Sequence, residues 1–312
     1  MMALENPYTT PSRRRVLALG AGAALATALT AGGSAHAATP RDGGDGGDVV
    51  RRLRELERRH SARLGVYARD TATGRTVRYR AEERFPVCSL FKTLAAAAVL
   101  RDLDRDGEFL AERIRYTEKD VTDSGYAPVT GRPENLADGM TVAELCAATI
   151  THSDNAAGNL LLRELGGPTA ITRFCRSVGD RTTRLDRWEP ELNSAEPWRV
   201  TDTTSPSAIG QTYARLVLGD LLAPGDRERL TGWLLANTTG GAKLRAGLPP
   251  GWTVADKTGG GKYGSNHDVG ITWPPEHPPV VMAVLTTKHE PDASPDNPLI
   301  AETAALLAEA LV

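Results

Sequence analysis

Cysteine is scarce in this chain of 312 residues, which has only Cys88, Cys146 and Cys175. An odd count leaves at least one thiol free and gives no disulfide framework. Histidine is sparse too: six scattered residues without an H-x-H or H-E-x-x-H pair. The sequence therefore offers no zinc site and implies no cofactor. Charge of one sign is also lacking, with 37 Lys and Arg against 39 Asp and Glu and a net charge of −2. That balance argues against nucleic acid or an anionic membrane as the main partner. A phosphate loop is missing as well. "GGGKYGS" has Tyr263 where a Walker motif needs Ser or Thr, and Asp256 where it needs its first glycine.

What is present begins with an export signal. "SRRRVL" (Ser12 to Leu17) precedes an uncharged run of Ala, Leu, Gly and Thr, Val16 to Ala31, and "AHA" (Ala35 to Ala37) suits signal peptidase. The run is short against the roughly 20 residues that span a bilayer. Arg13 and Arg14, with Arg15, Val16 and Leu17 behind them, resemble the twin-arginine export motif. We expect residues 1–37 to be a twin-arginine-type signal peptide and the protein to be secreted. No membrane anchor is expected after cleavage, since no cysteine near that site offers a lipid attachment. "TPRDGGDGGD" makes residues 38–48 an expected flexible linker. Residues 49–312 are long enough for one large domain or two interleaved lobes.

Apolar positions at Val50, Leu53, Leu56 and Leu64 predict an amphipathic helix over Val49 to Leu64. "LGVYARDTATGRTVRYR" alternates on both sides of a Thr73–Gly74 turn, which predicts a hairpin. From Ser89 to about Ala236 the pattern is mainly helical. "TVAE" at Thr141 is a capping box, Gly166 and Gly167 stop a helix, and Ser205–Pro206 starts another. Strands return in "GWTVADKTG", "HDVGITW" and "PVVMAVLTTK", and "PLIAETAALLAEALV" closes the chain as a helix. The expected fold class is two-lobed α/β (α+β). A five-stranded antiparallel sheet with flanking helices (49–88 and 237–312) carries an inserted all-helical lobe (89–236), with a cleft between lobes.

Four motifs fall at the edges of these elements. "CSLFK" puts Ser89 three residues before Lys92, so both lie on one helical face. Ser89 sits where first-turn N–H groups favour developing negative charge. A serine hydroxyl needs a base within reach to act as a nucleophile. "SDN", Ser153 to Asn155, lies between two helical runs and alone would be an ordinary capped junction. "KTGG", Lys257 to Gly260, ends a strand, and "RWEPELN", Arg187 to Asn193, occupies a helix-poor stretch.

In this order and at these spacings the four motifs closely resemble the serine β-lactamases of class A. The resemblance runs from Val49 to Val312 and includes "DTTSP" after the Arg187 motif and "GWTVADKTGGGKYGS". It implies an enzyme that hydrolyses a small β-lactam through an acyl-enzyme on Ser89; the sequence leaves oligomeric state open, with monomer the default. The backbone N–H groups of Ser89 and Gly260 would form the oxyanion hole, each such donor contributing about 3–4 kcal/mol in comparable sites. Lys92 would either accept the Ser89 proton or hold a water that Glu189 deprotonates, and both remain open. Ser153, near Lys257, would relay a proton to the ring nitrogen. Asn155 would hold the substrate amide, and Lys257 and Thr258 would face its carboxylate. Gly259 and Gly260 would let substrate lie close to the strand, and Tyr126 joins the substrate-binding set. Glu189 and Asn193 would position the deacylating water. Arg187 and Asp202 would tie the ends of their loop, whose Glu189–Pro190 bond is a candidate cis peptide.

Two departures qualify the resemblance. Cys88 has no cysteine after Lys257 to pair with, so a disulfide there is excluded. Asn266 occupies a position that often carries arginine. Lys243 is the expected substitute cation, with Arg245 as its rival. Other functions built on the same toolkit are a penicillin-sensitive DD-peptidase, a serine glutaminase and a β-lactam-sensing binding domain. The carboxylate Glu189 in its loop argues against all of them.

Overall fold

The computed structural model describes residues 45–312. The expected signal peptide and most of the expected linker lie outside the described residues. The first described element corrects the linker boundary: helix α1 runs Asp45–Arg59, four residues earlier than expected. Asp48, near its positive end and bonded to Arg51, favours that early start despite the neighbouring glycines. The helix also stops earlier, and Leu64 belongs to strand β1 (Arg63–Asp70).

β1 turns at Gly74, whose φ of +75° suits glycine, into β2 (Thr76–Tyr79). Three later strands complete the sheet: β3 (Thr253–Gly260), β4 (Asn266–Trp273) and β5 (Val280–Thr287). The order is β2-β1-β5-β4-β3, antiparallel throughout. Alternation along β1 sends Leu64, Val66 and Ala68 into a core with α1 and the last helix, Asn297–Leu311, while Tyr67 joins a second core. Both faces are thus covered, which is why β5 is buried at every position and reads as a continuous apolar run.

Helix Phe91–Ala98 (α2) crosses the second core and continues as a π turn, Val99–Leu103. Around it lie α3 (Val142–Thr151) and α4 (Asn155–Glu164). The capping box at Thr141 and Glu144 forms as expected. Gly166 and Gly167 end α4 at φ +88° and +98°. Ser205 caps α5 (Pro206–Val217) through Ala208 N. By chain order α5 was expected in the helical lobe, but it packs on the sheet. A Cβ at Gly210 would come within 2.8 Å of the Tyr67 ring, so glycine lets α5 approach β1. No described helix is long and apolar enough to cross a membrane.

Candidate active site

Ser89 lies in a 3₁₀ turn, Cys88–Leu90, that leads into α2 rather than in the helix itself. Neither the turn nor the helix takes a side-chain cap, so the Ser89 hydroxyl has no capping role. Cys88 precedes it at φ +44°. The turn presses on the end of β3: a Cβ at Gly259 would lie 3.2 Å from Cys88 Cβ, and one at Gly261 3.2 Å from Cys88 Sγ. Gly259 thus serves the packing of the Ser89 turn, and it also lines the cleft cavity described below. At Gly260 a Cβ would meet nothing nearer than Ser265 O at 3.7 Å, so that position is open. Cys88, Cys146 and Cys175 are free and buried.

Lys92, fully buried, gathers three motifs. Its Nζ donates to Asn155 Oδ1 at 2.6 Å and Ser153 O at 2.7 Å, and reaches Ser153 Oγ at 3.5 Å. It also stands 3.1 Å from Glu189 Oε1, an ion-pair distance, although Oε1 accepts no well-aligned hydrogen bond. None of these bonds goes to Ser89. Burial lowers the Lys92 pKa, and Glu189 opposes the shift.

Ser153 sits between α3 and α4 at φ +57°. Asp154 makes this junction. It caps α4 through Ala157 N and accepts Val129 N and Thr130 N, each at 2.9 Å. Asn155 N donates to Tyr126 O at 2.8 Å, but the exposed Tyr126 ring is not among the residues lining the cleft cavity described below. From the sheet lobe, fully buried Lys257 donates to Ser153 Oγ at 3.0 Å and Thr258 O at 2.8 Å. Burial, then Lys92 and Lys243, hold its pKa well below the usual lysine range.

Glu189 is buried, after an Arg187–Trp188 approach, and its bond to Pro190 is cis. Asn193 Nδ2 donates to its Oε2. Asn159 brackets its backbone, accepting Glu189 N at 3.0 Å and donating to Glu189 O at 2.9 Å. Arg187 Nε meets Asp202 Oδ2 at 2.6 Å, and Asp202 Oδ1 takes the N–H groups of Asp186 and Arg187. Asp202 O in turn accepts Val87 N at 2.8 Å, joining the loop to the Ser89 turn. Cys88, Ser153 and Asp202 are all non-glycine residues at positive φ, an arrangement that costs about 1–3 kcal/mol each and tends to gather at functional sites.

A cavity of ≈ 310 Å³ is lined by Ser153, Lys243, Thr258, Gly260 and Asn266 among others. Lys243 Nζ makes one hydrogen bond, to His267 O at 3.2 Å, and no ion pair among the described residues. Its rival Arg245 is committed elsewhere, to Asp256 at 2.6 Å and to three backbone carbonyls. Asn266 Nδ2 is spent on Asn297 Oδ1 at 3.0 Å. A larger cavity, ≈ 450 Å³, is lined by Asp120, Arg163, Trp188 and the Glu189 segment. Ser153, Thr258 and Gly260 do not line it, so its size does not make it the reaction site.

The capped junction expected at Ser153 to Asn155 forms with Asp154 as the cap, but its bonds to Val129 N and Thr130 N were not foreseen, and Asn159 and Asp256 were missed. Asn159 was within reach, since it follows Asn155 by four residues on one helix face. The backbone-bracing work of Asp154 and the buried partners of Asp256 leave no such periodic signal.

A profile of the β-lactamase enzyme family matches residues 48–311. A β-lactamase of Streptomyces lavendulae is 72% identical over 96% of this chain and 97% of its own length, and one of Streptomyces fradiae is 68% identical over 99% of both. The solved β-lactamase of Streptomyces albus G superposes with a TM-score of 0.84 at 66% identity, covering 85% of this chain and 100% of that one. An ancestral class A β-lactamase gives 0.79 at 52% identity, covering 84% of this chain and 99% of that one. With sequence, fold and the four motifs in agreement, the chain belongs to the β-lactamase enzyme family, as a class A serine β-lactamase.

Proposed function

We propose that this β-lactam hydrolase works through an acyl-enzyme on Ser89 that Glu189 clears. Ser89 Oγ bonds to the lactam carbonyl carbon as the ring C–N bond breaks. The Oγ proton passes to Lys92, directly or by way of a water and Glu189, and the ring nitrogen receives a proton from Ser153 Oγ, which Lys92 replaces. A water then bonds to the acyl carbon, the ester C–Oγ bond breaks, and Glu189 takes the water proton and passes it to Ser89 Oγ, which restores the enzyme. The oxyanion forms against the N–H groups of Ser89 and Gly260.

The observation that carries this reading is one buried line of contacts, Glu189–Lys92–Ser153–Lys257, with steps of 3.1, 3.5 and 3.0 Å. Such a line suits proton movement between the two halves of the reaction. Asn193 fixes the other Glu189 oxygen, leaving Oε1 for the water. Thr258, Lys257 and Lys243 offer the substrate carboxylate a hydroxyl and two cations. Lys243 supports the role expected of it because it lines the cleft without a carboxylate partner. An acyl-trapping domain or a peptidase would not need Glu189 against the lysine. Nitrocefin separates the readings: many turnovers per active site are expected, and a single stoichiometric reaction would overturn hydrolysis.

A further inference from the structure

Two fully buried acids share one face of the β3–β4 pair. Asp256 stands opposite Gly270, and Asp268 opposite Thr258, which makes the acids diagonal neighbours. Glycines make room for Asp256. A Cβ at Gly270 would lie 3.0 Å from Asp256 Cβ, and one at Gly240 would lie 2.0 Å from Asp256 Oδ2.

Partners are divided unequally between the two. Asp256 holds Arg245 at 2.6 Å and accepts Asn237 Nδ2 at 2.7 Å. Asp268 receives a single N–H, from Leu244 at 3.1 Å, on Oδ2. Its Oδ1 accepts no hydrogen bond, and the residue forms no ion pair among the described residues. A carboxylate in that position is fully buried with no ion pair among the described residues, and taking on a proton is the cheaper state. Of two neighbouring buried acids, the one without the guanidinium takes the proton.

We propose that Asp268 is a neutral carboxylic acid that donates its proton to Asp256, and that its neutrality leaves Lys243 without a carboxylate partner at the cleft. An ionised Asp268 would give Lys243 a permanent inward partner. The second half of the proposal rests on the reading of Lys243 as the partner of the substrate carboxylate, and Asp268 acts there as a positioning residue.

The surrounding charges agree with the first half. Burial and then Asp256 push the Asp268 carboxyl well above the carboxylate range, with Lys243 opposing in part. Arg245 is engaged by Asp256. His267, next along β4, is neutral: Thr286 N donates to its Nδ1, and burial and Lys243 lower its pKa to about 3. Lys257 is itself held below its usual range, and burial lowers the Lys243 pKa too, with Asp268 and Asp256 opposing that shift.

The sign of the pH effect follows. A carboxyl whose folded pKa is raised contributes most below its unfolded pKa, and that contribution is lost as pH rises toward the folded value. Asp268→Asn, which mimics the neutral acid, is expected to gain Tm over the wild type progressively between pH 4 and pH 8. Infrared spectra of the full-length enzyme at pH 7.5 are expected to show the C=O stretch of a protonated carboxyl group. Lys243→Ala should keep the band and Asp268→Asn should lose it. If Asp268→Asn fails to fold, wild-type enzyme labelled with ¹³C-aspartate gives the same reading, through one carboxyl carbon that keeps its protonated shift at pH 7.5. Absence of the band, its survival in Asp268→Asn, or a Tm gap that shrinks with rising pH would overturn the proposal. Retention of the band, with Lys243→Ala hydrolysing acid and ester substrates as the wild type does, would remove only the link to Lys243.

Discussion

At the scale of single residues, Glu189 and Lys243 make different demands on the same cleft. Glu189→Ala removes the group held against Lys92 but leaves Ser89 in place. Deacylation is expected to slow more than acylation, so mass spectrometry with benzylpenicillin should show an adduct on Ser89 that the wild type clears. The adduct should vanish in a Ser89→Ala background. That change touches no cap, so Tm should move by no more than about 2 °C. Steady-state release at the normal rate by Glu189→Ala would place water activation elsewhere. Lys243→Ala tests the carboxylate partner instead. kcat/KM for benzylpenicillin should fall tenfold or more, about 1.4 kcal/mol, while that of its methyl ester stays level. Lysine would supply a point charge without the fork of a guanidinium, so the proposed contact should be looser than one made by arginine.

Among the elements, the loop between Asp186 and Asp202 has its two ends joined at Asp202. Asp202 is almost fully buried and collects Arg187 and two backbone N–H groups. Arg187 is 26% exposed on its side chain, so the pair is partly screened, and Arg187→Ala is expected to cost about 1–3 kcal/mol rather than the full value of a buried pair. Hydrogen exchange at residues 186–202 should accelerate, and deacylation should fall while acylation persists. Unchanged exchange would show that the remaining bonds, the Asn159 brackets among them, hold the loop without Arg187. The elements that were legible in the sequence had local signals: Thr141 with Glu144, Ser205 with Pro206, the paired glycines and the apolar run of β5. What was not legible depended on packing. The 3₁₀ turn at Cys88 forms against Gly259 and Gly261, α5 reaches the sheet through Gly210, and α1 starts among residues whose composition reads as linker. The Ser89–Lys92 spacing was legible, but the lysine's actual partners, Ser153, Asn155 and Glu189, come from distant segments and no spacing encodes them.

For the whole molecule, the three buried free thiols mean that folding needs no oxidising compartment. This agrees with an exported enzyme that does not depend on bridges, and we propose export by the segment around Arg13 and Arg14. Replacing both arginines with lysine is expected to leave the enzyme inside the cell with its specific activity intact. Activity that still reached the medium would overturn that route. The order of the sheet has a consequence of a different kind. β3 is its last strand and pairs on one side only, with β4. Its other margin is an unfinished ladder of amides beside Ser153 and Lys243. We propose that an extended amide laid there would be held through its backbone, much as a further strand would be.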